Sequence, residues 1–259
     1  VLIIGAGLSG LSAANDLQQA GHKVLLVDKG RGLGGRLAGR RIGDASFDHG
    51  AQFMTTREQR FATTVQEWIS VGVAEEWYSS FPGSSTEGHP RYRGVPTMTA
   101  IAKNLATDLN ILRSVRVLNI AQDNNQWLAN LDNGQQVIAK SMIITAPVPQ
   151  TIDLLASGNI QLSAANQARL ETIEYEACIA VMAVLDGSSK IPAPGAIALE
   201  DGPIAWISDN QQKGVSKIPA VTIHGSGVFS AKHFDLDRQA TGQQLIDAAL
   251  PLLGAGVSE

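Results

Sequence analysis

Six residues near the start of the chain constrain its fold more than any others: Gly5-Ala6-Gly7-Leu8-Ser9-Gly10, directly after the apolar run Val1-Leu2-Ile3-Ile4. The run is short, continuous and uncharged, as a strand buried on both faces of a parallel sheet must be. Gly5 allows the tight turn out of that strand, Gly7 lets a pyrophosphate approach the backbone, and Gly10 lets the following helix pack closely on the sheet. Ser9 and its neighbours then offer free amides at a helix N-terminus, where unpaired N–H groups and the dipole favour an anion. The spacing predicts a helix to about Ala20, capped by Gly21, and a second strand over Lys23 to Val27. Asp28 follows Gly5 by 23 residues. That is about the separation at which a carboxylate accepts hydrogen bonds from both ribose hydroxyls of a dinucleotide. An acid here disfavours a 2′-phosphate, so a phosphorylated nicotinamide is the less favoured occupant. Glycine-rich turns also occur in folds that bind nothing, but strand, helix and spaced acid together favour a dinucleotide site, either NAD or FAD.

Beyond Asp28 the sequence resembles a family. The stretch Asp28-Lys29-Gly30-Arg31-Gly32-Leu33-Gly34-Gly35-Arg36 is similar to the glycine-doublet motif of the flavin amine-oxidase superfamily. There the doublet brings backbone near the cofactor phosphates and the arginine reaches the flavin half. Within the superfamily, Phe47-Asp48-His49-Gly50-Ala51-Gln52-Phe53 resembles the renalase-like proteins, whose pattern is an acid, any residue, Gly-Ala-Gln and an aromatic. Arg116-Val117-Leu118-Asn119-Ile120 with Trp127 resembles the hairpin whose valine backbone meets the adenine. Ile143-Ile144-Thr145-Ala146-Pro147-Val148-Pro149-Gln150 resembles the strand and proline turn that close the cofactor domain. Trp206, Asn210 and Lys213 fall in a segment similar to the family's substrate domain.

The resemblance implies an α/β chain in which a Rossmann-type, glutathione-reductase-like FAD-binding domain is interleaved with a mixed α+β substrate domain. The expected boundaries are residues 1–56 and 97–150 for the first and 57–96 and 151–259 for the second. FAD would be held by Gly5, Gly7, Ser9, Gly10, Asp28, Lys29, Gly34, Gly35 and Arg36, by Asp48, Gly50, Ala51, Gln52 and Phe53, and by Val117 and Ala146. Gln52 and Phe53 are expected nearest the flavin ring. Asp48 is expected to fix their loop rather than act as a base, because hydride transfer from an electron-rich donor needs no proton abstraction from carbon. Arg36 has a plainer alternative as a surface salt bridge. Tyr92, Trp206, Asn210 and His224 are the candidate substrate contacts, since an aromatic can stack on a planar ring and an asparagine can bond an amide. The alternative for Trp206 and His224 is that they are satisfied core residues on strands.

No catalytic side chain is expected beyond the flavin itself, whose N5 accepts a hydride while the protein orients the donor. Zinc-ligand spacing, a Gly-x-Ser-x-Gly elbow and a Cys/His nucleophile pair are all missing from the sequence, so no metal is expected. By resemblance the donors would be isomeric dihydro forms of NAD(P), with oxygen as acceptor and hydrogen peroxide as product. An amine oxidase or desaturase-type oxidoreductase of the same superfamily is the alternative, although its aromatic cage and its lysine over N5 cannot be assigned from sequence. A flavin-binding protein without turnover is a third reading. The family's last cofactor motif, a Gly-Asp pair before a glycine-bearing helix, does not occur before Glu259, and Val1 lies mid-strand; both ends of a longer protein are expected to be absent. Pro96-Thr97-Met98 stands where relatives carry Gly-Met, so substrate choice could differ.

Composition narrows the rest. The net charge of −4 over 259 residues gives no pull toward nucleic acid or an anionic membrane. No 18-residue apolar stretch suggests a span, and a cytoplasmic enzyme with a small-molecule substrate is expected. The lone Cys178 sits in the apolar run Tyr175 to Val184 and is expected to be buried. Further elements expected are helices over 57–71, 97–108, 163–173 and 236–253, strands near 114–120, 126–131, 136–139 and 142–145, a hairpin turn at Asp132-Asn133-Gly134, and a loop over 81–90. Phe61, Val65, Trp68 and Ile69 share one face of the first of these helices, as core residues would.

Overall fold

The computed structural model describes residues 1–79 and 88–258, so the expected loop at 81–90 falls, for 81–87, outside the described residues. The chain packs as two compact units, Val1–Arg36 with Ala102–Tyr175 and Leu37–Ile101 with Glu176–Glu259. Packing thus changes hands at residues 36, 101 and 175, whereas the domain boundaries expected from sequence lie at 56, 96 and 150.

The first unit holds a parallel sheet in the order Met142–Ile144, Leu2–Ile4, Leu25–Asp28, Ile111–Arg113. Its register is set by Leu2 opposite both Leu25 and Met142. Leu2, Ile3 and Leu26 are fully buried, as the unbroken apolar run demands. The helix Leu8–Gln19 follows the first strand and buries Gly10, Leu11 and Ala14. A three-stranded antiparallel sheet of Val117–Asp123, Gln126–Leu131 and Gln136–Ala139 completes the unit's strands. Its first strand runs three residues further than expected because Asn124 and Asn125, at φ 47° and 60°, make a two-residue hairpin turn. Asp132-Asn133-Gly134 makes the other, with Gly134 at φ 82°. The helix Val148–Ser157 was not expected, since its two prolines read as a turn. Pro147 instead occupies the cap and Pro149 the first turn, where no N–H is missed. Ser163 caps the helix Ala164–Glu171 through Asn166 N–H at 3.3 Å.

The second unit is built on an antiparallel sheet in the order Ala180–Val184, Ala220–Gly225, Ile204–Asp209, Ala196–Ala198. The helix Arg238–Leu253 lays Leu245, Ala249 and Leu253 on Ile207, Val221 and Ile223, all essentially solvent-free. Asp237 caps that helix at 2.8 Å, and Gly254 ends it at φ 62°. The separate helix Gly227–His233 escaped sequence reading because seven residues with Val228 at 85% exposure carry no apolar stripe. The hairpin Gly39–Ile42 with Ala45–Asp48 docks Ala45 and Phe47 against Ala220. A small sheet in the order Met54–Thr55, Arg91–Gly94, Ala74–Tyr78 and the helix Gln59–Ser70 finish the unit. Glu58 caps this helix, and Phe61 and Trp68 meet edge to face at 6.1 Å. Cys178 corrects the expectation of a buried thiol. The strand starts only at Ala180, and Cys178 lies exposed in the irregular segment before it. Among the described residues no helix is long and apolar enough to cross a membrane.

Candidate functional site

In the first unit the two glycine motifs meet. Gly5 turns the chain at φ +108°, a conformation that a side chain rarely adopts, and its N–H donates to Val27 O at 2.8 Å. A Cβ at Gly10 would stand 2.0 Å from Gly5 O, so the helix lies on the turn with no room for a methyl group. Gly34 N–H donates to Ala6 O at 2.9 Å and pairs with Gly7 as a parallel bridge. Asp28 ties the same turns together: one carboxylate oxygen accepts from Ala6 N–H at 2.6 Å, the other from Gly30 N–H at 2.6 Å. Gly7 itself is the N-cap of the helix with no side-chain hydrogen bond, and a Cβ there would meet nothing within 4 Å. Helix amides, a dipole and open space therefore coincide at Gly7 and exposed Ser9, which is the geometry an anionic pyrophosphate requires. Lys29 donates to Gln150 Oε1 at 2.9 Å, while the Arg36 guanidinium lies 5.9 Å from the Tyr175 ring. Val117 begins its hairpin strand opposite Leu131, and Ala146 O accepts from Thr151 Oγ1 at 3.1 Å.

The second unit carries a buried polar network around Asp48. Every polar atom of this residue is engaged. Its N–H donates to Asn210 Oδ1 at 3.2 Å, and its carbonyl accepts from Gln52 Nε2 at 2.6 Å and from Thr222 Oγ1 at 3.0 Å. Oδ1 accepts from Met98 N–H at 2.9 Å, and Oδ2 receives Lys213 Nζ at 2.9 Å. The side chains of both ions are fully buried. Gln52 Nε2 also donates to Gly50 O at 3.1 Å, and its Oε1 accepts from Ser208 at 2.8 Å and Lys213 at 3.3 Å. Asn210 spends its amide on Thr222 Oγ1 at 2.9 Å, so both its ends work inside the network. A buried network pays off only when satisfied, and this one is, which holds the 48–53 loop in one conformation.

Rings surround that loop. Phe53 lies 5.6 Å from Trp206, 6.5 Å from Trp77 and 6.5 Å from Tyr78, and Lys213 Nζ sits 4.9 Å from the Trp77 centroid. Arg91 lies 5.3 Å from the Phe53 ring. Burial drives the Lys213 pKa down from 10.5, with Asp48 opposing the fall and Arg93 adding to it. His224 Nε2 meets His49 O at 3.0 Å, and burial holds His224 below 6.5. Burial, then Arg40, does the same to His49. Burial also raises Tyr78 to about 12, so its hydroxyl stays protonated.

The structure thus gathers Gly5, Gly7, Ser9, Gly10, Asp28, Gly34 and Gly35 in one place, and Asp48, Gly50, Gln52, Phe53, Trp206, Asn210 and, through His49, His224 in another. Tyr92 is buried in its sheet opposite Met54 and makes no ring contact among the described residues. Sequence reasoning missed Trp77, Ser208 and Thr222 and left Lys213 without a place in the site. The structure places a buried lysine, Lys213, beside the rings of Phe53, Trp77 and Trp206. The signal for Lys213 was its segment's resemblance alone, since a lysine in a polar turn reads as exposed. Among the described residues no group of three or more His, Cys, Asp or Glu is placed to hold a metal ion.

A parallel sheet with a glycine turn, an acid at the end of its second strand and an uncapped helix define a dinucleotide-binding Rossmann-type protein. Residues 3–68 accordingly match the NAD(P)-binding Rossmann-like domain family. Renalase from Mus musculus is 24% identical over 97% of this chain and 80% of its own length. The (S)-6-hydroxynicotine oxidase of Paenarthrobacter nicotinovorans is 29% identical over 51% of this chain and 32% of its own. Among solved structures, putrescine oxidase bound to putrescine superposes with a TM-score of 0.74 at 13% identity, covering 97% of this chain and 81% of that one. A fatty acid isomerase from P. acnes reaches 0.70 at 12% identity over 100% and 83%. The chain is therefore renalase-like in sequence and shares its fold with oxidases and an isomerase alike, so the fold alone does not name the reaction.

Proposed function

We propose that this protein is a renalase-like, FAD-dependent oxidoreductase that oxidises isomeric dihydro forms of NAD(P), with oxygen as the final acceptor. The overall change is dihydronicotinamide, oxygen and a proton going to nicotinamide and hydrogen peroxide. When bound, FAD supplies the hydride acceptor. The observation that carries the cofactor reading is the open space at Gly7, on an uncapped helix N-terminus and beside Asp28 and Gly34. There the helix amides would hold the pyrophosphate. Asp28 keeps acceptor capacity for ribose hydroxyls because each of its oxygens takes only one backbone N–H. Lys29, Gly35, Arg36, Val117 and Ala146 are assigned further cofactor contacts by family resemblance, as are Gly50 and Ala51.

On the substrate side, Phe53 and Trp206 would stack on a planar ring and keep water from the donor carbon. Asp48, Gln52 and Asn210 would position the loop that presents Phe53, with no proton to abstract. His224, neutral at pH 7, supports that loop through His49. The partner proposed is a small molecule only, and a cytoplasmic location belongs to the same proposal. Hydrogen peroxide formation by the FAD-loaded protein tests it. Isomeric dihydronicotinamides should give peroxide in step with oxygen consumed, and primary amines little; the reverse order would establish an amine oxidase.

A further inference from the structure

Lys213 lies outside the glycine turns assigned to the dinucleotide phosphates, and its side chain is completely removed from water. Lysine is rarely found so, and pairing with one carboxylate does not by itself repay the desolvation. Its contacts run in two directions. On one side Nζ is held by Asp48 Oδ2 at 2.9 Å and Gln52 Oε1 at 3.3 Å, the two ends of the loop that carries Phe53. On the other it lies 4.9 Å from the Trp77 centroid, within the range of a cation–π contact. Trp77 is fixed in turn by donating its indole N–H to Pro194 O at 3.0 Å, and its ring lies 6.5 Å from Phe53 and 6.4 Å from Trp206. Arg93, the other cation acting on Lys213, is taken by Glu75 at 2.6 Å.

We propose that Lys213 is a positioning residue that sets substrate class: anchored by Asp48 and Gln52, it occupies the cation position on Trp77 and so fits the ring cluster to a planar uncharged ring rather than an ammonium ion. An ammonium substrate would otherwise find its natural place on such rings, but like charges a few ångströms apart in a water-poor site repel strongly. Arg91, 5.3 Å from the Phe53 ring, adds its own charge against an ammonium there, whereas an electron-rich planar ring meets no such conflict at Phe53 or Trp206. The inference rests on the reading of these rings as the substrate surface.

The test compares Lys213→Met, which strands a buried carboxylate, with Lys213→Met/Asp48→Asn, which does not. Near-ultraviolet circular dichroism of the substrate-free protein reads the ring cluster without turnover. Both variants should alter that signal, and the alteration should vanish in a Trp77→Phe background. With FAD-loaded protein, both should raise KM for an isomeric dihydronicotinamide about 10-fold, a larger change than any in kcat. Benzylamine should become a measurable substrate of the double variant only. A double variant with the parental spectrum and KM would overturn the proposal, since Lys213 would then serve charge balance alone. Parental oxidation of benzylamine at the double variant's rate would overturn the selectivity half. If the parent fails on dihydronicotinamides, the proposed substrate falls, while the spectrum still decides whether Lys213 positions the rings.

Discussion

Gly7→Ala and Gly10→Ala each add one methyl group, three residues apart, and the structure gives them opposite consequences. At Gly10 the new Cβ would stand 2.0 Å from Gly5 O and 3.0 Å from Thr145 Oγ1, where ordinary contact begins near 3.4 Å. Relief needs the helix Leu8–Gln19 to withdraw from the strand by roughly 1 Å. Overpacking of this kind costs about 1–3 kcal/mol or more, and the gain from replacing a helical glycine, about 1 kcal/mol, does not offset the upper part of that range. At Gly7 the Cβ meets nothing within 4 Å, and φ −78° suits alanine. Stability should hold or rise by about 0.4–1 kcal/mol as the unfolded chain loses freedom. The same methyl fills the space a pyrophosphate would enter. Urea unfolding of the FAD-free protein should show Gly10→Ala destabilised and Gly7→Ala not. FAD titration should show Gly7→Ala binding at least about 10-fold more weakly, a loss of about 1.4 kcal/mol. Parental FAD affinity in Gly7→Ala would refute a phosphate at this turn, and a parental urea midpoint for Gly10→Ala would refute the close helix–strand approach.

Asp28→Ala removes two 2.6 Å acceptors and the proposed ribose partner, and equilibrium dialysis should show FAD binding weakened by about 1–3 kcal/mol. Burial holds His224 and His49 below 6.5, so below that pH the unfolded chain takes up protons the native state refuses. Stability should therefore be full above pH 6.5 and fall as pH drops through and below it, and His224→Asn should flatten the fall in urea titrations from pH 7 to 5. Leu245→Ala, at a site with 0% exposure in the core under the second unit's sheet, should cost about 2–5 kcal/mol by the same unfolding assay.

The glycine turn and its spaced acid were legible because their physics is local. Turn, close approach and spaced acid depend on residues whose separations are fixed by strand and helix lengths, and Gly5, Gly10 and Asp28 take up those positions. The hairpin at Asp132-Asn133-Gly134 was legible for the same reason, while Asn124-Asn125 lacked the glycine that marks such turns. The buried network around Asp48 was not legible. Asp48 and Lys213 are 165 residues apart, and nothing in a polar stretch such as Ser208 to Lys213 says that tertiary packing will take its lysine fully out of water. Trp77 was hidden likewise, because its neighbours Glu75 and Glu76 suggest an exposed edge while its indole reaches Pro194. Cys178 erred in the other direction, an apolar neighbourhood in sequence that lies outside the strand in space.

The central claim is that a bound flavin here takes reducing equivalents from a planar dihydronicotinamide. Anaerobic mixing of the FAD-loaded protein with isomeric dihydronicotinamide tests it most directly. The account predicts rapid loss of the oxidised flavin's visible band, with primary amines leaving it intact. A band that persists with every dihydronicotinamide isomer, or that amines bleach instead, would contradict it.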